Sequence, residues 1–514
     1  MRERGRIPIS YVLPDWFRTP TMPILFGNEL RAVFPVFASA FAAILLSGLF
    51  SEALRFGVAL IAWGLGCAAM SAVAFGHDFA HRTLARTLAE PVSRELLWTM
   101  RIKIAGLAAA LLTVAAAWTL GLFGKTFYAF ASPVDLVHGL MLLAMIPLLG
   151  VCLAPWITLR CRSALAGTVF TVFSCFFLVY GGQYLWGLTG RAVEHPAFSQ
   201  LFSLAGVSIS ALALWRGYVC WTHLEVIDAV ALAPSFGFQG SRAFNERRRS
   251  PWLPLVWKEV RLQWLVIVPV LGMAMTAWSF HQTTPRPNGL ELFIHSMRFW
   301  AILLCLILGA VGSAEERQLG VTEGQALQPI SRMTQWSIKI GLLLLLTDLL
   351  GVRLPLVLMA AARGETNLTV PSVYAWEPAA ICVTLVSLYI SSCCRTTMKA
   401  VLLGLPFSAL VVGLAEVERA NEARLLSIFQ NMDFVQSSPG AAFDLVEAPL
   451  NLSLAFAAPY LCGAAVLFLF MRWACENHFS AEQGGARRQL AWLVGLTLAA
   501  VVLCSSFFVS ATNF

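Results

Sequence analysis

LRFGVALIAWGLGCAAMSAVAF, running from Leu54 to Phe75, decides the fold: it is 22 residues long and its only charge is Arg55, near its start. About 20 such residues wound as a helix cross a hydrocarbon core of roughly 30 Å. Inside lipid a backbone has to satisfy its own N–H and C=O groups, and a helix does so within one segment. Working outward with windows of about 19 residues, the first half holds further apolar runs near Val33 to Phe50, Ile102 to Phe123, Leu136 to Trp156, Ala164 to Trp186 and Leu201 to Trp221. The second half offers Trp264 to Phe280, Leu292 to Ser313, Ile338 to Ala361, Val373 to Ser392, Val401 to Leu414, Leu450 to Trp473 and Leu490 to Ser510. The expected fold is therefore an all-α polytopic membrane protein of about 13 transmembrane helices.

Composition agrees. Of 514 residues, 58% are apolar and 12% charged, against roughly 25% charged in a soluble protein, and mean hydropathy is +0.73. A water-soluble enzyme is excluded. The formal charge of +8 comes from 36 Lys and Arg against 28 Asp and Glu. With the N-terminus placed in the cytoplasm, about three quarters of the basic residues fall on that side, as the positive-inside rule requires, and a thirteenth span puts the C-terminus outside. No DNA-binding pattern accompanies the charge, so no nucleic-acid partner is expected. Twelve Cys form no C-x-x-C pair and sit mostly in apolar runs, as small buried hydrophobes do. The basic, Pro-punctuated stretch Met1 to Thr21 lacks the apolar region of a signal peptide.

Two stretches between the second and third spans of their halves resemble each other. His77 to Ile104 reads HDFAHRTLARTLAEPVSRELLWTMRIKI and Glu315 to Ile340 reads EERQLGVTEGQALQPISRMTQWSIKI. Without a gap, Asp78 falls on Glu316, Pro91 on Pro329, Ser93 on Ser331, Arg94 on Arg332, Trp98 on Trp336 and Arg101 on Lys339. Upstream, Asn28-Glu29-Leu30-Arg31 matches Lys258-Glu259-Val260-Arg261. The expected organisation is two parallel six-helix repeats plus one extra C-terminal helix. Residues 1–223 form the first half, 224–251 a cytoplasmic linker holding Arg247-Arg248-Arg249, 252–475 the second half, and 476–514 a cytoplasmic loop with the extra span. Parallel copies share an interface near the bilayer midplane, where transporters keep pathways.

Within each copy an acid is followed by a polar stretch, then Pro-Val/Ile-Ser-Arg, then a Trp entering the next span. Pro interrupts a helix and the Ser after it can cap the next one, so the segment reads as helix, break, re-entry helix. This pattern resembles the membrane subunits of type-2 ABC exporters. Gly320-Val321-Thr322 through Pro329 keeps that family's spacing; Arg82-Thr83-Leu84 through Pro91 keeps it with Arg in place of Gly. The resemblance implies a permease whose coupling segments (Asp78, Pro91, Ser93, Arg94 and Glu316, Pro329, Ser331, Arg332) seat in an ATP-binding subunit. It further implies amphipathic entry helices carrying Glu29, Arg31, Glu259 and Arg261. One chain would supply both membrane halves and work with a cytoplasmic ABC ATP-binding subunit in two copies, in a bacterial inner membrane, with ATP and Mg held by the partner and no cofactor here. The thirteenth helix departs from the family pattern.

Other signals are weaker. Gly124-Lys125-Thr126 mimics the end of a phosphate loop, but no strand precedes it and the expected topology puts it outside, so the chain is read as a transport subunit without its own ATPase site. His77-Asp78-Phe79-Ala80-His81 approaches the H-E-x-x-H zinc signature, with a shorter acid and no third ligand in the pattern; an intramembrane metalloprotease using His77 and His81 is one alternative. Asp348, inside GLLLLLTDLLGVRLPL, is a possible pathway residue, and an ion-coupled secondary transporter using it is the other. Arg353 lies five residues on, about 140° round an α-helix, and reads as a poor partner that snorkels away. The acidic segment Glu416 to Glu447 either gates an exit or caps the helices.

Overall fold

The computed structural model describes residues 22–48, 52–80, 83, 87, 92–120, 133–187, 196–224, 253–283, 287–319, 330–363, 370–394, 396–409 and 467–479. Every regular element among them is helical. They are α1 (Met22–Ser47), α2 (Glu52–Ala80), α3 (Arg94–Thr119), α4 (Pro133–Cys161), α5 (Ala164–Gly187), α6 (Pro196–Thr222) and α7 (Leu253–Leu262). After a single 3-10 turn, Gln263–Val266, come α8 (Ile267–Thr283), α9 (Pro287–Leu319) and α10 (Arg332–Leu346). A π-turn, Thr347–Arg353, leads to α11 (Leu354–Arg363) and α12 (Val370–Cys393). A shorter helix, α13 (Thr397–Ala409), follows, and α14 covers residues 467–479.

Nine helices among the described residues are long and apolar enough to cross a membrane, and two shorter apolar ones, Glu377–Cys393 and Thr397–Ala409, accompany them. The chain is an all-α polytopic membrane protein. The expected span Leu490 to Ser510, most of Leu450 to Trp473 and the segment Glu416 to Glu447 lie outside the described residues. Within Leu450 to Trp473, α14 begins at residue 467 and continues past the expected end, through Phe479.

The chain divides into two compact units. One comprises Met1–Ile44, Leu60–Gly182 and Thr189–Gly240; the other comprises Leu45–Ala59, Gln183–Leu188 and Ser241–Phe514. In the first unit α2 is the central helix, with 83% of its spanning window buried; in the second α9 holds that place at 89%, against 22 to 50% for the other seven windows. Small residues make such central helices possible, because lipid offers no hydrophobic drive between helices and close approach has to supply contact. A Cβ on Gly66 of α2 would stand 2.7 Å from Ala40 Cβ, and one on Gly76 would stand 2.6 Å from Ala164 Cβ. Along α9 and α12, a Cβ on Gly309 would stand 2.6 Å from Ser387 Cβ. That closeness lets Ser387 and Ser391 donate across to the carbonyls of Leu306 and Ala310 at 2.8 and 2.6 Å.

Chain breaks are built by local chemistry. α4 ends at Arg162, which adopts a left-handed φ of 53°, and Ser163 then accepts from the Ala166 amide at 3.3 Å to start α5. Ser93 accepts from the Leu96 amide and Ser331 from the Thr334 amide, so both serines of the repeated motif are N-caps.

Candidate functional site

Charges buried in apolar helices are the features that demand explanation, since one carboxylate or cation at a span centre costs about 2.5–3.5 kcal/mol on insertion scales. Each unit contains a group of them, near the start of α3 in one and of α10 in the other.

In the first unit Arg101, two turns into α3 and 1% exposed, reaches two acids. Its Nε and Nη2 donate to Glu29 Oε1 of α1 at 3.0 and 2.6 Å, and Nη2 also donates to Asp78 Oδ2 of α2 at 2.8 Å. The guanidinium lies over the Trp221 ring, 4.9 Å from its centroid, and 5.7 Å from that of Phe75. Asp78 Oδ1 accepts from Thr83 and Thr87 at 3.0 and 3.1 Å, and His77 Nε2 stands 3.3 Å from it. Both threonines belong to the stretch leading to Pro91, so this segment is tied back to the buried acid. Glu29 Oε2 and Arg101 Nη1 are buried without a hydrogen-bond partner.

In the second unit Lys339 of α10, 3% exposed, donates to Glu316 Oε2 of α9 at 2.5 Å and to the Gly312 carbonyl at 2.6 Å. It lies 3.4 Å from Glu259 Oε1 of α7. Lys258 pairs with Glu316 as well and stands 3.7 Å from Glu259. His478 of α14 completes the group, with Nε2 3.2 Å from Glu316 Oε2 and Nδ1 2.7 Å from Ser313 Oγ. As the neutral Nε2–H tautomer it donates to Glu316 and accepts from Ser313. Burial, against the opposing pull of Glu316, pushes this imidazole down to about 4.

The two clusters are alike: an acid from α1 or α7 (Glu29, Glu259), an acid near the end of α2 or α9 (Asp78, Glu316) and a cation of α3 or α10 (Arg101, Lys339), positions that fall on one another when the two sequence stretches are overlaid. Removing one partner of a buried pair leaves an uncompensated charge, at a cost of about 3–5 kcal/mol. The motif residues around them divide. Arg94 Nη1 donates to the carbonyls of Thr222 and Leu224 at 2.6 and 2.9 Å, closing the end of α6, while Trp221 Nε1 donates to Arg94 O at 3.0 Å. Arg332 is exposed, its guanidinium 5.8 Å from the Phe479 ring centroid. Trp98 packs on Phe75 with centroids 4.7 Å apart, and Trp336 donates to the Met471 carbonyl at 3.2 Å. Thus the start of the third span is fastened to α6 in one unit and to α14 in the other. Arg31 and Arg261 are exposed on α1 and α7, Ser93 and Ser331 are exposed caps, and Pro91, Pro329 and His81 lie outside the described residues.

The acids Asp78 and Glu316, expected on a cytoplasmic segment, are 1% and 0% exposed. Glu29 lies within an unbroken helix that begins at Met22 and continues through the first span. Asp348 also differs from expectation. Arg353 is its partner, Nε donating to Oδ2 at 2.8 Å. The reading as a poor partner assumed α-helical geometry; in the π-turn the ladder runs from i to i+5, which brings position 353 over 348. Sequence reasoning aligned Arg101 with Lys339 without singling them out. A cation retained in both copies just inside an apolar run was the available signal. His478 carries no such signal, being distant in sequence from Glu316 and Ser313, the residues it binds in the cluster.

Among the described residues no three His, Cys, Asp or Glu side chains are grouped to hold a metal ion. Asp78, the acid of the zinc-like pattern, has both oxygens engaged by Arg101, Thr83 and Thr87. Compared with protein-family models, curated proteins and solved structures, the chain matches none.

Proposed function

We propose that this chain is the permease of an ATP-driven transporter of the type-2 ABC exporter kind, two related six-span halves fused in one polypeptide. The observation that carries the reading is the acid–cation–acid cluster built twice from corresponding positions, Glu29–Arg101–Asp78 and Glu259–Lys339–Glu316. Each cluster joins three helices: α1, the end of α2 and the start of α3 in one, and α7, the end of α9 and the start of α10 in the other. Those are the elements that flank the segment resembling a coupling helix. In the first half Thr83 and Thr87 link that segment directly to Asp78. A push on the segment by a partner ATPase would be carried through the cluster into three helices at once, the kind of contiguous, discretely packed element that converts contact energy into a change of state. The engagement of Asp78 weighs against the metalloprotease alternative, in which that acid must activate water.

In this reading the N-terminus and both coupling segments face the cytoplasm of a bacterial inner membrane, and the partner is a cytoplasmic ATP-binding subunit in two copies. Purification of the tagged chain from its own host in mild detergent tests it. Two nucleotide-binding subunits per chain and ATPase activity are the expected result. A chain that purifies alone, without ATPase activity and with about one zinc bound (the one-metal stoichiometry of an H-E-x-x-H-type site), overturns it. Arg332→Glu then tests the docking face: Arg332 is exposed, whereas Arg94 closes α6 and its reversal would disturb the permease itself. Association should weaken in Arg332→Glu; unchanged association removes this segment from the seat.

A further inference from the structure

The π-turn Thr347–Arg353 has two unlike sides. One is packed: Thr347 Oγ1 donates to the Leu343 carbonyl at 2.8 Å and meets Thr384 Oγ1 at 3.0 Å, Val352 is fully buried, and a Cβ on Gly351 would stand 2.8 Å from Cys305 Sγ. The other side is open. Leu345, Leu349 and Val357 form an exposed apolar stripe, and the Arg353 side chain, 66% exposed, interrupts it. Asp348 sits beside the stripe, its side chain 26% exposed, near the middle of the 31-residue apolar segment Arg332–Ala362.

The pair on this face is only half engaged among the described residues. Arg353 gives only Nε to Asp348, and its two Nη groups have no hydrogen-bond partner among the described residues. Asp348 Oδ1 has none either. A carboxylate in an apolar setting, with one oxygen still open, favours a positive guest.

We propose that Asp348 is the binding site of an amphipathic organic cation, and that Arg353 is a tethered stand-in which this ligand displaces. An unpaired carboxylate is costly at this depth, but exchanging one cation for another keeps the pair neutral throughout. The long stem of Arg353 allows it to swing away and carry its charge toward water. The apolar body of the ligand would lie on Leu345, Leu349 and Val357. A strongly hydrated inorganic cation gains nothing from that stripe, and an anion would meet the Asp348 carboxylate. The inference deepens the transport reading, on which it rests, by naming the substrate class.

Binding is measured on the full chain in lipid nanodiscs without any ATPase, so failure here leaves the co-purification test standing. The probes are tetraphenylphosphonium and its size-matched anion, tetraphenylborate. Wild type should bind the cation saturably, and Asp348→Asn should weaken it by about tenfold or more, the loss of one charge pairing. Arg353→Ala should tighten it several-fold because the internal competitor is gone, and tetraphenylborate should not compete. Unchanged binding in Asp348→Asn overturns the proposal. If that variant does not assemble, Arg353→Ala decides: affinity no higher than wild type, or no saturable binding at all, overturns it equally.

Discussion

Replacing Arg101 with Met keeps much of the side chain's length and apolar stem while deleting the one guanidinium that serves both Glu29 and Asp78. The two carboxylates are 7% and 1% exposed, and among the described residues the only other basic side chain paired with them is His77, 3.3 Å from Asp78. The loss should therefore fall in the range for a broken buried pair, about 3–5 kcal/mol. At about 2–4 °C per kcal/mol, the scale for a domain of 150–250 residues, the apparent unfolding midpoint should drop on the order of 10 °C. Dye-reported thermal unfolding of the purified chain in mild detergent measures it. The diagnostic companion is the neutral triple variant Glu29→Gln, Asp78→Asn, Arg101→Met, which removes the stranded charges and should recover most of the midpoint, as apolar or neutral replacement of buried ion groups commonly does. A single variant as stable as wild type would refute the claim that Arg101 compensates two buried carboxylates. A triple variant no better than the single would show that shape over Trp221, not charge, is what Arg101 supplies.

Three further outcomes follow from the geometry. His478 is held near 4, below its ordinary 6.5, so the unfolded chain takes up the proton first as pH falls. Stability should decline by about 3 kcal/mol between roughly pH 6.5 and 4, and His478→Gln should flatten that window in a pH series of unfolding midpoints. Ser93→Ala and Ser331→Ala should each cost about 1 kcal/mol through loss of an N-cap, with Asp at either place restoring it, read by the same unfolding assay. Gly309→Val should block the approach of α12 to α9 and lower the yield of monodisperse protein, whereas Gly341→Ala, where a Cβ meets nothing within 4 Å, should not.

Much of the site was legible along the chain because the same pattern is written twice. The pairing of Asp78 with Glu316 and Arg101 with Lys339 placed two acids and two cations at equal distances from a Pro-x-Ser-Arg motif. A single copy would have read as an ordinary polar loop. What this could not disclose is that these residues bind one another. The spacing of Asp78 and Arg101 crosses a break in the helix, and Glu29 comes from another helix altogether, so their meeting depends on how α1, α2 and α3 pack. Asp348 and Arg353 failed for the opposite reason, because the residues were adjacent in sequence and the assumed helical period was wrong by one residue per turn.

By itself, then, the sequence determined the membrane character, the approximate helices, the serine caps and the doubling of the motif, since each follows from local hydropathy, local hydrogen bonding or self-comparison. Only the tertiary structure decided which charges are buried together, that His478 closes the second cluster from far along the chain, and that a π-turn aims Asp348 and Arg353 at each other. Those outcomes depend on close packing at glycine and serine seams and on a change of helical period, and neither is encoded in the hydropathy of the residues involved.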